Sequence, residues 1–121
     1  MSNPLSDESR KWVESRRSQR VLLRIPILVR WQPDGQEPIT EDTTTIIVNA
    51  HGALIALAMR VLAGNKIMLR NWGTTKEEEC KVVHVREKPG GMNDVGIAFS
   101  FPKPGFWAID FPPEDWQPFY E

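Results

Sequence analysis

Three arginines near the amino-terminal end carry the side chains best suited to hold a ligand. Arg16 and Arg20 stand four positions apart with Arg17 between them, and a long apolar stretch follows directly from Val21. A guanidinium group offers a planar fork of donors to phosphate oxygens or to the O6 and N7 atoms of guanine, and it also stacks on a purine ring. The spacing therefore predicts a binding site for a purine nucleotide where a flexible segment meets a rigid strand.

Catalytic chemistry has little support in this chain. The two histidines, His51 and His84, have no convincing cluster of carboxylates around them that would favour a metal or general-base role. His51 falls in a turn, where it can approach a phosphate, and His84 is expected on the strand face that carries Cys80 and Val82. The sequence also lacks a nucleophile signature, a P-loop and a dinucleotide-binding fingerprint. We therefore expect a protein that is not an enzyme and that holds no metal and no cofactor.

The composition fits one domain with an uneven distribution of charge. The chain has 121 residues, of which 40% are hydrophobic and 26% are charged, and its formal net charge is -1. Seven basic residues and a single acid lie from Arg10 to Arg30, whereas four acids and no base lie from Phe106 to the end. A general nucleic-acid binder usually carries a strong basic excess, so this balance argues against DNA as a partner. A small anion would be drawn to the N-terminal side.

The single cysteine and the polar first residues indicate in which cellular compartment the protein is expected. Cys80 alone can form neither an intramolecular disulfide nor a cysteine-based metal site. Residues 1–9 are polar and acidic, and no apolar run approaches the roughly 18 residues of a membrane span. We expect a cytoplasmic protein without membrane insertion.

Alternating apolar residues predict six short β-strands. The first is expected over residues 21–31, with Pro26 marking an edge or a bulge. The others are expected at residues 43–49, 53–58, 66–70, 78–86 and 95–101, with turns rich in Gly, Pro and Asn between them. This spacing favours an all-β fold, a small antiparallel barrel or sandwich, over alternating helices and strands. Short peripheral helical segments are expected at residues 7–16 and 104–110.

The C-terminal stretch is aromatic and too broken by proline to form a strand. We expect Trp107 and Phe111 to fold back and cover one mouth of the barrel. For Trp116 two interpretations stay open, packing on the barrel or docking to a partner, because exposed aromatic residues beside acids are typical of interfaces.

Three segments carry a resemblance to a known family: residues 16–20 before the first strand, 47–52 at the end of the second, and 95–99 in the sixth. Together they resemble a PilZ domain, whose members are often receptors for cyclic di-GMP. The resemblance covers about residues 14–102 and implies a six-stranded antiparallel PilZ-like barrel. It divides the chain into an N-terminal arm at residues 1–13, the barrel at residues 14–102 and an aromatic, acidic tail at residues 103–121 that packs on the barrel.

The PilZ signature joins Arg-x-x-x-Arg to Asp/Asn-x-Ser-x-x-Gly, and only its first half is intact here. Counting back from Gly52, Ile47 occupies the Asp/Asn position and Asn49 the Ser position. Ile47 cannot hydrogen-bond to guanine, whereas Asn49 carries both a donor and an acceptor. Asn49 alternatively serves only to tolerate the left-handed backbone of a turn that also needs Gly52. The resemblance implies ligand contacts from Arg16, Arg17, Arg20, Asn49 and Gly52.

Two functions follow from these residues. The first is a bacterial receptor that binds cyclic di-GMP, folds its arm over the barrel and signals through an unidentified partner protein. The alternative is a degenerate PilZ domain that no longer binds nucleotide and serves as a protein-protein interaction module. The intact arginine pair favours the receptor. Ile47 favours the alternative, because each lost polar contact to a buried ligand group costs about 1 to 3 kcal/mol.

Overall fold

Seven β-strands account for most of the chain in the computed structural model, which describes residues 19–109 and residue 113. The strands are β1 (Val21–Leu22), β2 (Pro26–Trp31), β3 (Ile39–Asn49), β4 (Gly52–Leu57), β5 (Lys66–Asn71), β6 (Glu77–Arg86) and β7 (Asn93–Phe99). One 3-10 turn, Pro104–Phe106, follows them. The helix predicted at residues 7–16 lies outside the described residues.

Six of the strands close into an antiparallel barrel. Their order is β3-β2-β5-β6-β7-β4, and β4 returns to pair with β3. The two-residue strand β1 adds to the C-terminal half of β3. Because every barrel strand has a neighbour on both sides, closure leaves no long unpaired edge. The predicted all-β, six-stranded antiparallel barrel is confirmed.

The prediction of one unbroken strand over residues 21–31 is wrong, because the stretch divides into β1 and β2. The fully buried side chain of Thr45 fills the break. Its hydroxyl donates a hydrogen bond to the Leu23 carbonyl at 2.5 Å and accepts one from the Ile25 N–H at 2.8 Å. A buried backbone group needs such a partner where a strand is interrupted. Pro26, the first residue of β2, lies at this irregularity.

Strand β3 begins earlier than predicted because its first half is polar rather than alternating. This half pairs with β2, and the second half pairs with β4. The Glu41 carboxylate accepts hydrogen bonds from the backbone N–H groups of Ala58 and Met59 at 2.7 and 2.9 Å. The Thr43 hydroxyl donates to the Ala56 carbonyl at 2.6 Å. These bonds fix the chain where it leaves β4.

The core is formed by the inward side chains of the barrel strands. Those that are completely buried are Ile27, Val29, Val48, Ile55, Leu57, Leu69, Val82 and Val95. An aromatic cluster of Phe99, Phe106 and Trp107 extends this core, with ring centroids 4.8 to 5.8 Å apart. The buried Asn71 donates from Nδ2 to the Phe106 carbonyl at 2.7 Å, which fixes the 3-10 turn to the barrel. Phe101 was expected in the last strand but follows its end and is 70% exposed.

A β-bulge in β6 places two side chains differently from the prediction. The pairing of β6 with β7 shifts register between Val82 and His84. Val82 is buried, whereas Val83 is 53% exposed and His84 is exposed. His84 therefore does not share a face with Cys80 and Val82, and Val85, which packs against the core, does not share one with Val83. An inserted residue reverses the inside-outside alternation beyond it.

Candidate ligand-binding site

A groove of about 470 Å³ lies on the outer surface of the barrel, across β3, β4, β7 and β6. This volume falls in the range of roughly 300 to 1,000 Å³ that is usual for small-molecule sites. It is lined by Arg20, Ile47, Asn49, His51, Gly52, Ala53, Leu54, Val83, His84, Arg86, Asp94, Gly96, Ile97 and Ala98. These residues form two polar ends with an apolar centre between them.

The strand register orders the groove into three rows. We call them the first, second and third row, counted from the β3–β4 turn. The first row holds Asn49, Gly52 and Ala98, the second row holds Ile47, Leu54, Gly96 and His84, and the third row holds Asp94 and Arg86. Successive rows lie two residues apart along β7, so the first and third rows are separated by about 14 Å. A ligand that touches both polar ends must span that distance.

Small residues on the outer face of β7 give the groove its depth. Gly96 in the second row has no side chain, and Ala98 in the first row has only a methyl group. A Cβ atom built on Gly96 would meet Val83 Cγ2 at 3.5 Å and His84 Cγ at 3.8 Å. These are ordinary contact distances, so the space above Gly96 is open to a ligand but also able to accept a methyl group.

Gly52 is required for the close approach of two strands rather than for a turn. It pairs with Ala98 on β7, and a Cβ atom at this position would lie 2.0 Å from the Ile97 carbonyl oxygen. Its φ is not positive, in contrast to Gly35, Gly64, Gly90 and Gly91. The expectation that the turn needs its backbone freedom is therefore wrong. The turn itself consists of Ala50 and His51.

Asn49 is held by its side chain and by its backbone. Its Oδ1 accepts a hydrogen bond from the His51 N–H at 2.8 Å, the bond of an Asx turn. Its carbonyl accepts one from the Trp107 Nε1 at 2.9 Å. Because its φ is not positive, the alternative that it merely tolerates a left-handed backbone is wrong. With Oδ1 engaged in the turn, the Nδ2 amide is the donor that Asn49 offers to a ligand.

The structure brings three of the five predicted ligand residues to the groove. Arg20, Asn49 and Gly52 all line it. Arg20 directly precedes β1, whose pairing with β3 determines where the chain leaves the barrel. Arg16 and Arg17 lie outside the described residues. Ligand contacts by all five stay predictions.

The second and third rows contain residues that sequence reasoning did not assign to a site. Ile47 is half-buried in the centre of the groove, opposite Leu54. Arg86 and Asp94 form the far polar end, His84 lies in the second row, and no local sequence motif marks these three residues. They reach the groove only because β6 and β7 pair in this register. The bulge in β6 is what turns His84 outward.

The charges of the groove are mixed. Arg20 and His51 lie near the β3–β4 turn, His84 lies in the second row, and Arg86 lies in the third row. Asp94 pairs across the strands with Arg86, and Lys88 Nζ lies 3.4 Å from Asp94 Oδ1. A small anion is therefore attracted at either arginine, whereas the carboxylate suits a hydrogen-bond donor.

Reactive or metal-binding groups do not add to this site. Within the described part of the chain, no three His, Cys, Asp or Glu side chains converge as metal ligands would. Burial, and to a smaller extent the charges of Glu78 and Glu79, raises the pKa of the Cys80 thiol well above its ordinary range. In residues 19–109 no helix has the length and apolar character required to cross a bilayer.

The closed barrel, with the groove on its outer face, is a PilZ-like fold. The structure of the inhibitor of motility MotI/DgrA of Bacillus subtilis, a PilZ-domain protein, is similar to this chain with a TM-score of 0.56 and 17% sequence identity. The similarity covers 72% of this chain and 43% of MotI/DgrA, so the chain spans less than half of that protein's length. No protein-family profile and no curated protein sequence matches the chain. At this identity the likeness shows the fold alone.

Proposed function

We propose that this protein binds cyclic di-GMP in the groove and passes the signal to a partner protein. The observation that carries the proposal is the convergence of Arg20 and Asn49 on one groove, with Arg20 being the second arginine of the Arg-x-x-x-Arg motif. The PilZ-like fold adds support, because the Arg-x-x-x-Arg motif then precedes the kind of barrel on which that motif is expected.

Arg20, Asn49 and the apolar side chains of the second row each make a different contact with the ligand in this proposal. The guanidinium of Arg20 donates charge-assisted hydrogen bonds to a phosphate or to a guanine O6/N7 edge, joined by Arg16 and Arg17 from the residues that precede β1. The Nδ2 of Asn49 donates to an acceptor of the same ligand. The apolar side chains of the second row, Ile47 and Leu54, pack against a base. Because charge-assisted bonds at an exposed site are screened, affinity falls as salt rises.

The signal is read by another protein in this proposal, without a catalytic step. The structural neighbour is named an inhibitor of motility, and a regulatory role of this kind is what we propose for the present chain. Closure of the arm over the groove changes the surface that a partner meets. We place this activity in the bacterial cytoplasm.

Removal of the Arg20 guanidinium tests the ligand site. We expect isothermal titration of the full chain with cyclic di-GMP to give saturable heat, and Arg20→Ala to weaken binding by about 10- to 100-fold, the usual value of a charged hydrogen bond. Arg30→Ala is the matched control, because Arg30 is exposed on β2 and does not line the groove. Absence of heat with tens of micromolar wild-type protein would rule out the receptor.

The apolar character of the groove favours a second candidate function, a protein-protein interaction module. Leu22, which pairs with Ile47 across β1 and β3, is 79% exposed, and Val83, which lines the groove from β6, is 53% exposed. Exposed apolar side chains in one area are typical of an interface. If the wild-type chain does not bind the dinucleotide, this module becomes the preferred function.

A further inference from the structure

Among the described residues, Asp94 is the only acid that lines the groove. It lies in the third row on the outer face of β7, and its side chain is only 13% exposed. Lys88 Nζ lies 3.4 Å from Asp94 Oδ1, and Arg86 is its partner across the β6–β7 ladder. These two cations place positive charge beside the carboxylate at the far end of the groove.

A carboxylate in a groove proposed for a doubly anionic ligand needs an explanation. It repels phosphates, so the part of the ligand that meets it is not a phosphate. An ionised carboxylate is purely an acceptor, and its two oxygens suit two donors placed side by side. The Watson–Crick edge of guanine presents such a pair, the N1–H and the N2 amino group. The same edge of adenine carries an unprotonated N1, which is an acceptor and faces a carboxylate unfavourably.

We propose that Asp94 accepts hydrogen bonds from the donor edge of one guanine and thereby makes the groove select guanine over adenine. This inference rests on the proposed function. The Ile47 and Leu54 side chains of the second row carry no acceptor and pack only against the face of the base. Because the third row lies about 14 Å from the first, Asp94 and Arg20 contact different parts of one dinucleotide.

Two dinucleotides and one isosteric variant test the role of Asp94. We expect the wild-type chain to bind cyclic di-GMP at least about 10-fold more tightly than cyclic di-AMP, since one mismatched buried polar pair changes affinity by about 10- to 100-fold. Asp94→Asn places an amide NH₂ against a donor, so its affinity for cyclic di-GMP falls by a similar factor. Its affinity for cyclic di-AMP stays constant or rises. The control is Asp34→Asn, which removes the same charge from an exposed acid in the β2–β3 turn.

The outcomes separate this inference from the proposed function. If the wild-type chain binds neither dinucleotide, the receptor itself is ruled out. If the wild type binds cyclic di-GMP but Asp94→Asn binds it equally well, the role of Asp94 is ruled out and the receptor stands. The same conclusion follows if the wild type binds cyclic di-GMP and cyclic di-AMP with equal affinity. A guanine N1–H proton signal protected from exchange in the wild-type complex is a second readout that needs no variant. Its absence in a saturated complex would also overturn the role of Asp94.

Discussion

Gly52 and Gly96 lie on neighbouring strands, and a methyl group would have a different effect at each. At Gly52 it would meet a backbone carbonyl oxygen at 2.0 Å, and that oxygen cannot rotate away. At Gly96 it would meet only side-chain atoms, at 3.5 to 3.9 Å. The first glycine therefore lets β4 approach β7, and the second keeps the floor of the groove open.

Substitution of each glycine by alanine tests this difference. We expect Gly52→Ala to lower the free energy of unfolding by about 3 kcal/mol, because the strands must separate to admit the methyl group. Gly96→Ala should change it by less than about 1 kcal/mol and yet weaken cyclic di-GMP binding, because the methyl group occupies the floor. Urea denaturation and titration measure the two effects. Equal destabilisation by both variants would contradict the assignment.

The resemblance to PilZ motifs nominated part of the candidate site, and strand register brought in the rest. Arg20 belongs to one short motif, and Asn49 and Gly52 belong to another. The resemblance nominated all three residues, although the turn assigned to Gly52 was the wrong physical task. Asp94 and Arg86 were not nominated. Their position in the groove depends on the pairing of β6 with β7 after a bulge, and hydrophobic alternation does not reveal an inserted residue.

The segment that leads from the arm into the barrel depends on one side chain of β3. The Thr45 hydroxyl bridges the Leu23 carbonyl and the Ile25 N–H across the break between β1 and β2. Strand β1 itself has only two residue pairs with β3. Arg20 directly precedes β1, so this bridge also helps to determine where the arginine stands relative to the groove.

Thr45→Val should loosen this segment. Valine has nearly the same shape but leaves the partly buried Ile25 N–H and Leu23 carbonyl without this partner, at a total cost of about 1 to 3 kcal/mol. We expect a lower free energy of unfolding in urea and faster amide hydrogen exchange at residues 21–25. Affinity for cyclic di-GMP should fall as well. The control is Thr40→Val on the exposed half of β3. Unchanged exchange at residues 21–25 would show that the bridge is dispensable.

At the scale of the whole molecule, core and groove occupy opposite faces of the same strands. The inward residues of β7 are Val95, Ile97 and Phe99, and the residues between them face the groove. Trp107 connects the two faces, because its ring packs against Phe99 while its Nε1 donates to the Asn49 carbonyl. Alternation along each strand predicted a small antiparallel barrel or sandwich, and the resemblance to PilZ domains implied the six-stranded barrel. It did not predict this contact, which depends on the path of the chain after β7.

The buried thiol of Cys80 makes the stability of the whole barrel sensitive to alkaline pH. Cys80 is 2% exposed, and burial raises the pKa of its thiol above the ordinary value of 9.0. Above that value the unfolded chain loses the proton while the folded chain keeps it, so ionisation favours unfolding. The free energy of unfolding should therefore fall by up to about 1.4 kcal/mol per pH unit from this group.

Comparison with Cys80→Ala separates the pH dependence of the unfolding free energy that comes from the Cys80 thiol from the part that comes from other titrating groups. The variant leaves a small cavity and is therefore less stable at neutral pH, but the loss of stability caused by the cavity does not depend on pH. We expect the difference in unfolding free energy between the wild type and Cys80→Ala to shrink as the pH rises from about 9 to about 10.5, measured by urea denaturation under reducing conditions. Parallel curves over this range would mean that the thiol ionises as readily in the folded chain as in the unfolded one. The interior between β6 and its neighbours would then be open to solvent, contrary to the closed barrel.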